Sequence, residues 1–302
     1  MNTGMPISLH TRDFGFDHEI GDCSQFSAYT RSTDQLIDKL IMVLEFQSPP
    51  LSGFEQRLAN CAQQFLSPAA TLSAIQRVHG AHVREQTMRA YGRLSEAHML
   101  LSGVLASAIL KVDGKIVEAS QAGQERTALF ASFVIGMELS ETAIAEGCYL
   151  QALTLLRQEL ETVAQLTLIS LGKRKDGESA KLKVLEKSLA RFHGELSAAA
   201  HVSKHDLVRT ATELDVRDLD VPEFTVGTRY YPAFNEGLAR RAFALHLVLI
   251  LKIIEHMSEE HDARHSPEDR FGEMDSIAVH MAAELMRSEG LVDVDSPRSG
   301  VA

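Results

Sequence analysis

The chain has 302 residues and a formal net charge of −11, with 45% hydrophobic and 24% charged residues. That composition suits a globular protein with a substantial core. The acidic balance argues against unspecific binding to nucleic acid or to anionic membranes, both of which want a basic surface.

Cys23, Cys61 and Cys148 are widely spaced and form no C-x-x-C, so neither a disulfide framework nor a cysteine zinc site is indicated. No basic segment followed by an apolar one marks a signal peptide at the N-terminus. The longest apolar run, Leu245 to Ile254, contains His246 and Lys252 and is too short to span a bilayer. A soluble, cytoplasmic protein with no membrane partner is expected.

Residues 1–32 are rich in Ser, Thr, Asp and Gly without a sustained period, and read as a flexible arm. Ser32, Thr33 and Asp34 offer N-cap chemistry for a helix over 34–46 with the stripe Leu36, Ile37, Leu40, Ile41, Leu44. A second helix is predicted over 53–66, with Phe54, Leu58, Cys61 and Phe65 on one face and Pro68 closing it. From Thr71 to Lys111 the pattern stays helical, with a break expected near Gly80 or Gly92. The turn Val112 to Lys115 ends this N-terminal helical region, about 33–112.

A C-terminal bundle is expected over 119–290. Its first helix spans about 122–145, with Phe130, Phe133 and Ile144 facing inward. The next spans about 148–171 and ends at Gly172. Six basic residues lie between Lys173 and Lys187, and they read as a solvated loop and first turn more readily than as an anion-facing patch. A helix over 178–200 follows, with Leu182, Leu185, Leu189, Phe192 and Leu196 inward, continuing or restarting to Leu214. Residues 215–231 read as a loop or short strand, 234–261 as a very apolar helix, and Ser266-Pro267-Glu268-Asp269 as the start of the final helix. Residues 291–302 read as a tail. The fold class expected is an all-α multi-helix bundle.

The helix over 148–171 is apolar yet keeps Arg157, Glu159 and Glu161, and charges buried among leucines must be paired. Arg157 and Glu161 are four apart and share a helix face. They form either an internal ion pair that fixes register or a polar pocket in which Arg157 binds an anion. His201 and His205 have the i, i+4 spacing of metal ligands, without the glutamate of H-E-x-x-H. Glu255, His256, Glu259, Glu260, His261 and His265 read as a solvated helix end, where histidine is favourable by the helix dipole. No phosphate-binding glycine loop and no G-x-S-x-G elbow occurs. No cofactor and no metal is expected.

Two segments carry a resemblance. ALTLLRQELETVAQL (Ala152 to Leu166) and ELSAAAHVSKHDLV (Glu195 to Val208) resemble bacterial all-helical proteins of uncharacterised function with a leucine-rich LLRxxxE helix and a later LS…H segment. They are loosely similar to HEPN-type helical bundles, many of which are metal-independent ribonucleases. The resemblance implies Arg157, Glu161 and His201 as the matching polar positions. It spans a fifth of the chain. HEPN nucleases carry an Arg and a His with four to six residues between them. Arg93–His98, Arg77–His82, Arg241–His246, Arg240–His246 and Arg12–His18 have that spacing, and none follows the Arg157 helix.

Two functions are therefore expected. The first is a homodimerising binding module that takes a small anionic or nucleotide ligand at Arg157, Glu161, His201 and His205. The alternative is a HEPN-like ribonuclease or nucleotide-binding domain, which leaves nucleic acid open as a partner.

Overall fold

The computed structural model describes residues 53–115, 120–214 and 227–290. The expected arm, the helix over 34–46, the stretch around Phe224 and Val226, and the tail lie outside them. The described residues form an all-α multi-helix bundle with one two-residue strand pair.

The chain divides into residues 1–74 and 75–302. Described residues of the first unit form the beginning of helix α1 (Gly53–Tyr91), whose remainder belongs to the second. Pro68 does not close the helix as predicted. A proline inside a helix removes one N–H and frees the carbonyl four residues back. Here residues 64–69 are exposed, so water can satisfy that carbonyl. The break comes instead at Gly92, whose φ of +54° is the left-handed region that favours glycine.

The second unit is built around α4 (Tyr149–Ser170). It packs against α3 (Gln121–Ala145), α6 (Phe192–Ala200) and α8 (Glu236–Arg264). Leu156, Leu160, Val163 and Ala164 are fully buried there. Helix α2 (Leu94–Val112) lies antiparallel to α9 (Glu273–Ser288). Lys111 pairs with Asp275 at one end, and the Arg93 N–H donates to Glu289 at 3.0 Å at the other.

Side-chain caps start two of these helices. The Ser120 side chain accepts from the Gly123 N–H, and Asn235 accepts from the Leu238 N–H at 2.9 Å. Gly147 turns α3 into α4 with φ +77°, and a Cβ there would meet Val83 Cγ1 at 2.9 Å and the Ala233 carbonyl at 3.0 Å. That turn therefore needs glycine twice over, for its backbone and for its space.

Two predicted helices differ. The segment 178–200 is broken into a 3-10 turn (Leu182–Val184), α5 (Lys187–Ala190) and α6. Its entry is pinned sideways: Arg174 pairs with Glu125, and Gln165 donates to the Glu178 carbonyl at 3.0 Å. The final helix begins at Glu273 rather than at Ser266. Asp269 is taken by Lys115 and by the Ser266 hydroxyl at 2.8 Å, so Ser266-Pro267 caps one 3-10 turn only. A short α7 (His205–Thr212) follows α6, and β1 (Glu213–Leu214) pairs antiparallel with β2 (Gly227–Thr228).

By length and composition alone, α2 and α3 are long and apolar enough to cross a bilayer. Both turn part of that surface into the core. Both also leave large apolar side chains exposed: Met99 and Leu110 on α2, Ile135 and Leu139 on α3.

Candidate functional site

Helix α4 presents two different polar faces. On the outer face, Arg157 Nε donates to Glu161 Oε1 at 2.9 Å, one turn along the helix. The guanidinium Nη1 lies 3.3 Å from His201 Nε2. A guanidinium only donates, so the ring nitrogen accepts in this contact. Arg157 and Glu161 are partly exposed and His201 is exposed. The three predicted residues thus converge, and they do so at the surface.

His201 is placed by the end of α6. Its own N–H bonds the Ser197 carbonyl at 3.0 Å, and Val202 N and Ser203 N bond the Ala199 and Ala198 carbonyls, both at 3.0 Å. Val202 closes this turn with φ +51°. A β-branched residue rarely adopts that conformation, which costs about 1–2 kcal/mol. The strain sits directly after the histidine that meets Arg157.

His205 does not join them. It opens α7 after the turn at Val202, so it shares no continuous helix with His201 and the i, i+4 metal geometry is lost. Among the described residues no group of three His, Cys, Asp or Glu side chains is arranged to hold a metal ion.

The inner face of α4 holds a pair that the sequence reading did not single out. Glu159, 5% exposed, meets the fully buried His246 of α8, with Glu159 Oε2 2.9 Å from His246 Nδ1. The His98 ring lies 5.9 Å from the His246 ring, and Phe243 stacks on Tyr91 at 3.8 Å beside them. Burial, then the nearby His246, push the His98 pKa down. Burial, then Glu141, push the Tyr91 pKa up. Glu159 Oε1 and His246 Nε2 have no hydrogen-bond partner among the described residues. A signal for this pair was present: the most apolar run of α8 carries one histidine, and the leucine-rich α4 carries one more carboxylate than its surface face uses.

The cluster at the end of α8 is less solvated than predicted. Glu260 and His261 are 7% and 4% exposed. Glu260 pairs with Arg126 at 3.1 Å and with Arg264, and the His261 ring bonds the Asp269 carbonyl at 3.1 Å. The following 3-10 turn folds back onto His261, while Glu255, Glu259 and Asp262 of the same helix end stay exposed.

No protein-family model, no curated protein and no solved structure matches this chain.

Proposed function

We propose that this protein is a homodimerising binding module that takes a small anionic ligand on Arg157, Glu161 and His201. The observation that carries the reading is the convergence of these side chains across two helices, at 2.9 and 3.3 Å and open to solvent. A guanidinium is the side chain best suited to a phosphate or carboxylate, because its donors form a planar fork. Glu161 occupies Nε and His201 meets Nη1, which orients the fork without covering it. The strained turn at Val202 is consistent with a histidine held in place for use.

Calorimetric titration with inorganic phosphate and with a nucleoside monophosphate tests the site. Saturable binding by the wild type, lost in Arg157→Ala and weakened in His201→Ala, is expected. No saturable binding of either anion overturns it.

Homodimerisation rests on the exposed apolar side chains of α2 and α3, Met99, Leu110, Ile135 and Leu139. A stable monomer at micromolar concentration in sedimentation would count against it. The free thiols of Cys61 and Cys148 suit a reducing cytoplasm.

The Arg157–His201 contact also favours a second reading, a HEPN-like metal-independent ribonuclease. A histidine beside a guanidinium suits acid–base cleavage assisted by the RNA 2′-hydroxyl. Single-stranded RNA left intact by the wild-type protein removes this reading and leaves the binding module standing.

A further inference from the structure

We infer that a small monovalent cation of sodium's size binds between α3 and α4, in a pocket that ends on the buried carboxylate of Glu159.

The space for it comes from one residue. Gly136 lies inside α3, where a glycine weakens a helix relative to alanine. It has no side chain to fill the seam with α4, and a Cβ added there would meet nothing within 4 Å. The free volume beside it is about 20 Å³, room for one occupant the size of a water molecule. Ser132 and Gln158 stand at the exposed mouth, and Ser140, Glu159 and Thr162 are buried along the walls. Arg157 and Glu161 lie on another face of α4 and do not line this pocket.

The lining has the chemistry of a cation site. Each polar residue offers an oxygen: three hydroxyls, one amide and one carboxylate, with no lysine or arginine among them. The Thr162 hydroxyl donates its proton to the Gln158 carbonyl at 2.9 Å, so toward an occupant it can only accept. Glu159 is 5% exposed, and its Oε2 lies 2.9 Å from His246 Nδ1. Its Oε1 is buried and has no hydrogen-bond partner among the described residues. A neutral imidazole donates to Oε2 but leaves the carboxylate's charge uncancelled, and a buried charge without a counter-charge is costly. A cation held at Oε1 supplies that counter-charge, and the hydroxyls replace the water that the ion sheds. Oxygen donors select hard cations. One carboxylate matches one positive charge, whereas a divalent ion would leave net charge buried. The chain's net charge of −11 raises the concentration of cations around it.

The test is thermal unfolding of the full chain in sodium chloride and in equal concentrations of choline chloride, whose cation is too large for the pocket. Wild type, Gly136→Ala and Glu159→Gln are compared. In the wild type, sodium should raise the midpoint above that in choline, saturably, by about 3–5 °C once it exceeds its dissociation constant tenfold. Gly136→Ala puts a methyl group in the pocket, keeps the carboxylate and favours the helix, so it should fold and lose the sodium increment. Glu159→Gln keeps the side chain's shape, removes its charge and should lose the increment as well. Equal wild-type midpoints in the two salts overturn the site and leave a water molecule as the pocket's occupant. A sodium increment that persists in Gly136→Ala also overturns it, because the ion then binds elsewhere.

Discussion

Helix α4 places two acid–base pairs only two residues apart in sequence, and they live under different physics. Glu161 pairs with Arg157 at the surface, where water screens the charges. Glu159 pairs with His246 in the interior, where each group has lost its hydration. An exposed i, i+4 pair contributes about 0.3–0.5 kcal/mol. A buried pair contributes little net stability when intact, but removing one partner strands the other in a medium that cannot solvate it. The outer pair is therefore cheap to rearrange around a ligand, and the inner one is a structural commitment.

The largest expected effect tests that contrast directly. His246→Ala should destabilise the protein by about 3–5 kcal/mol in urea unfolding, because Glu159 is left buried without its donor. Replacing both residues, Glu159→Leu with His246→Leu, should recover much of the loss. A single substitution costing less than 1 kcal/mol, on the order of a surface pair, would put Glu159 in solvent and erase the difference between the two faces.

The pH dependence follows. Burial lowers the pKa of His98, His256 and His261 from the ordinary 6.5. Above 6.5 these rings are neutral in both states and stability is fully present. As the pH falls below 6.5, the unfolded chain takes up protons that the folded one refuses. Stability therefore declines toward the lower folded pKa values. His98→Gln should flatten part of that slope in unfolding measured between about pH 7 and pH 5. Glu141, which faces His98 and opposes the shift, should steepen the slope when replaced by Gln.

Val202→Gly should stabilise by about 1 kcal/mol, since it relieves a left-handed β-branched residue that buries little surface. The same variant should weaken anion binding, because the turn that holds His201 becomes looser. A stabilisation without any change in binding would detach His201 from the ligand.

The smallest stability change is expected for Arg157→Ala, about 0.5 kcal/mol or less by thermal unfolding. Its effect on anion binding should be large. A stability loss of several kcal/mol would instead make the outer pair a structural one.

Local chemistry made much of the fold readable. The apolar inward positions of α3 and α4, the long apolar run of α8, and the glycines at Gly92 and Gly172 all act within a few residues of their own position. Pro68 and Ser266 carried equally clear local signals and misled. The carbonyl that Pro68 freed lies in an exposed stretch that water can reach, and Lys115, far along the chain, claimed the acidic residue that Ser266 was to share with a helix.

The candidate site divides the same way. Arg157 and Glu161 were legible as a pair because helix geometry alone brings residues four apart together. His201 was marked by resemblance, and its contact with Arg157 needed the packing of α6 on α4. Glu159 and His246, 87 residues apart, and the pocket beside Gly136 were decided only by the tertiary structure. Burial and long-range pairing depend on which helix faces meet. The amphipathic pattern says that a face will be covered, and only the packed bundle says by what.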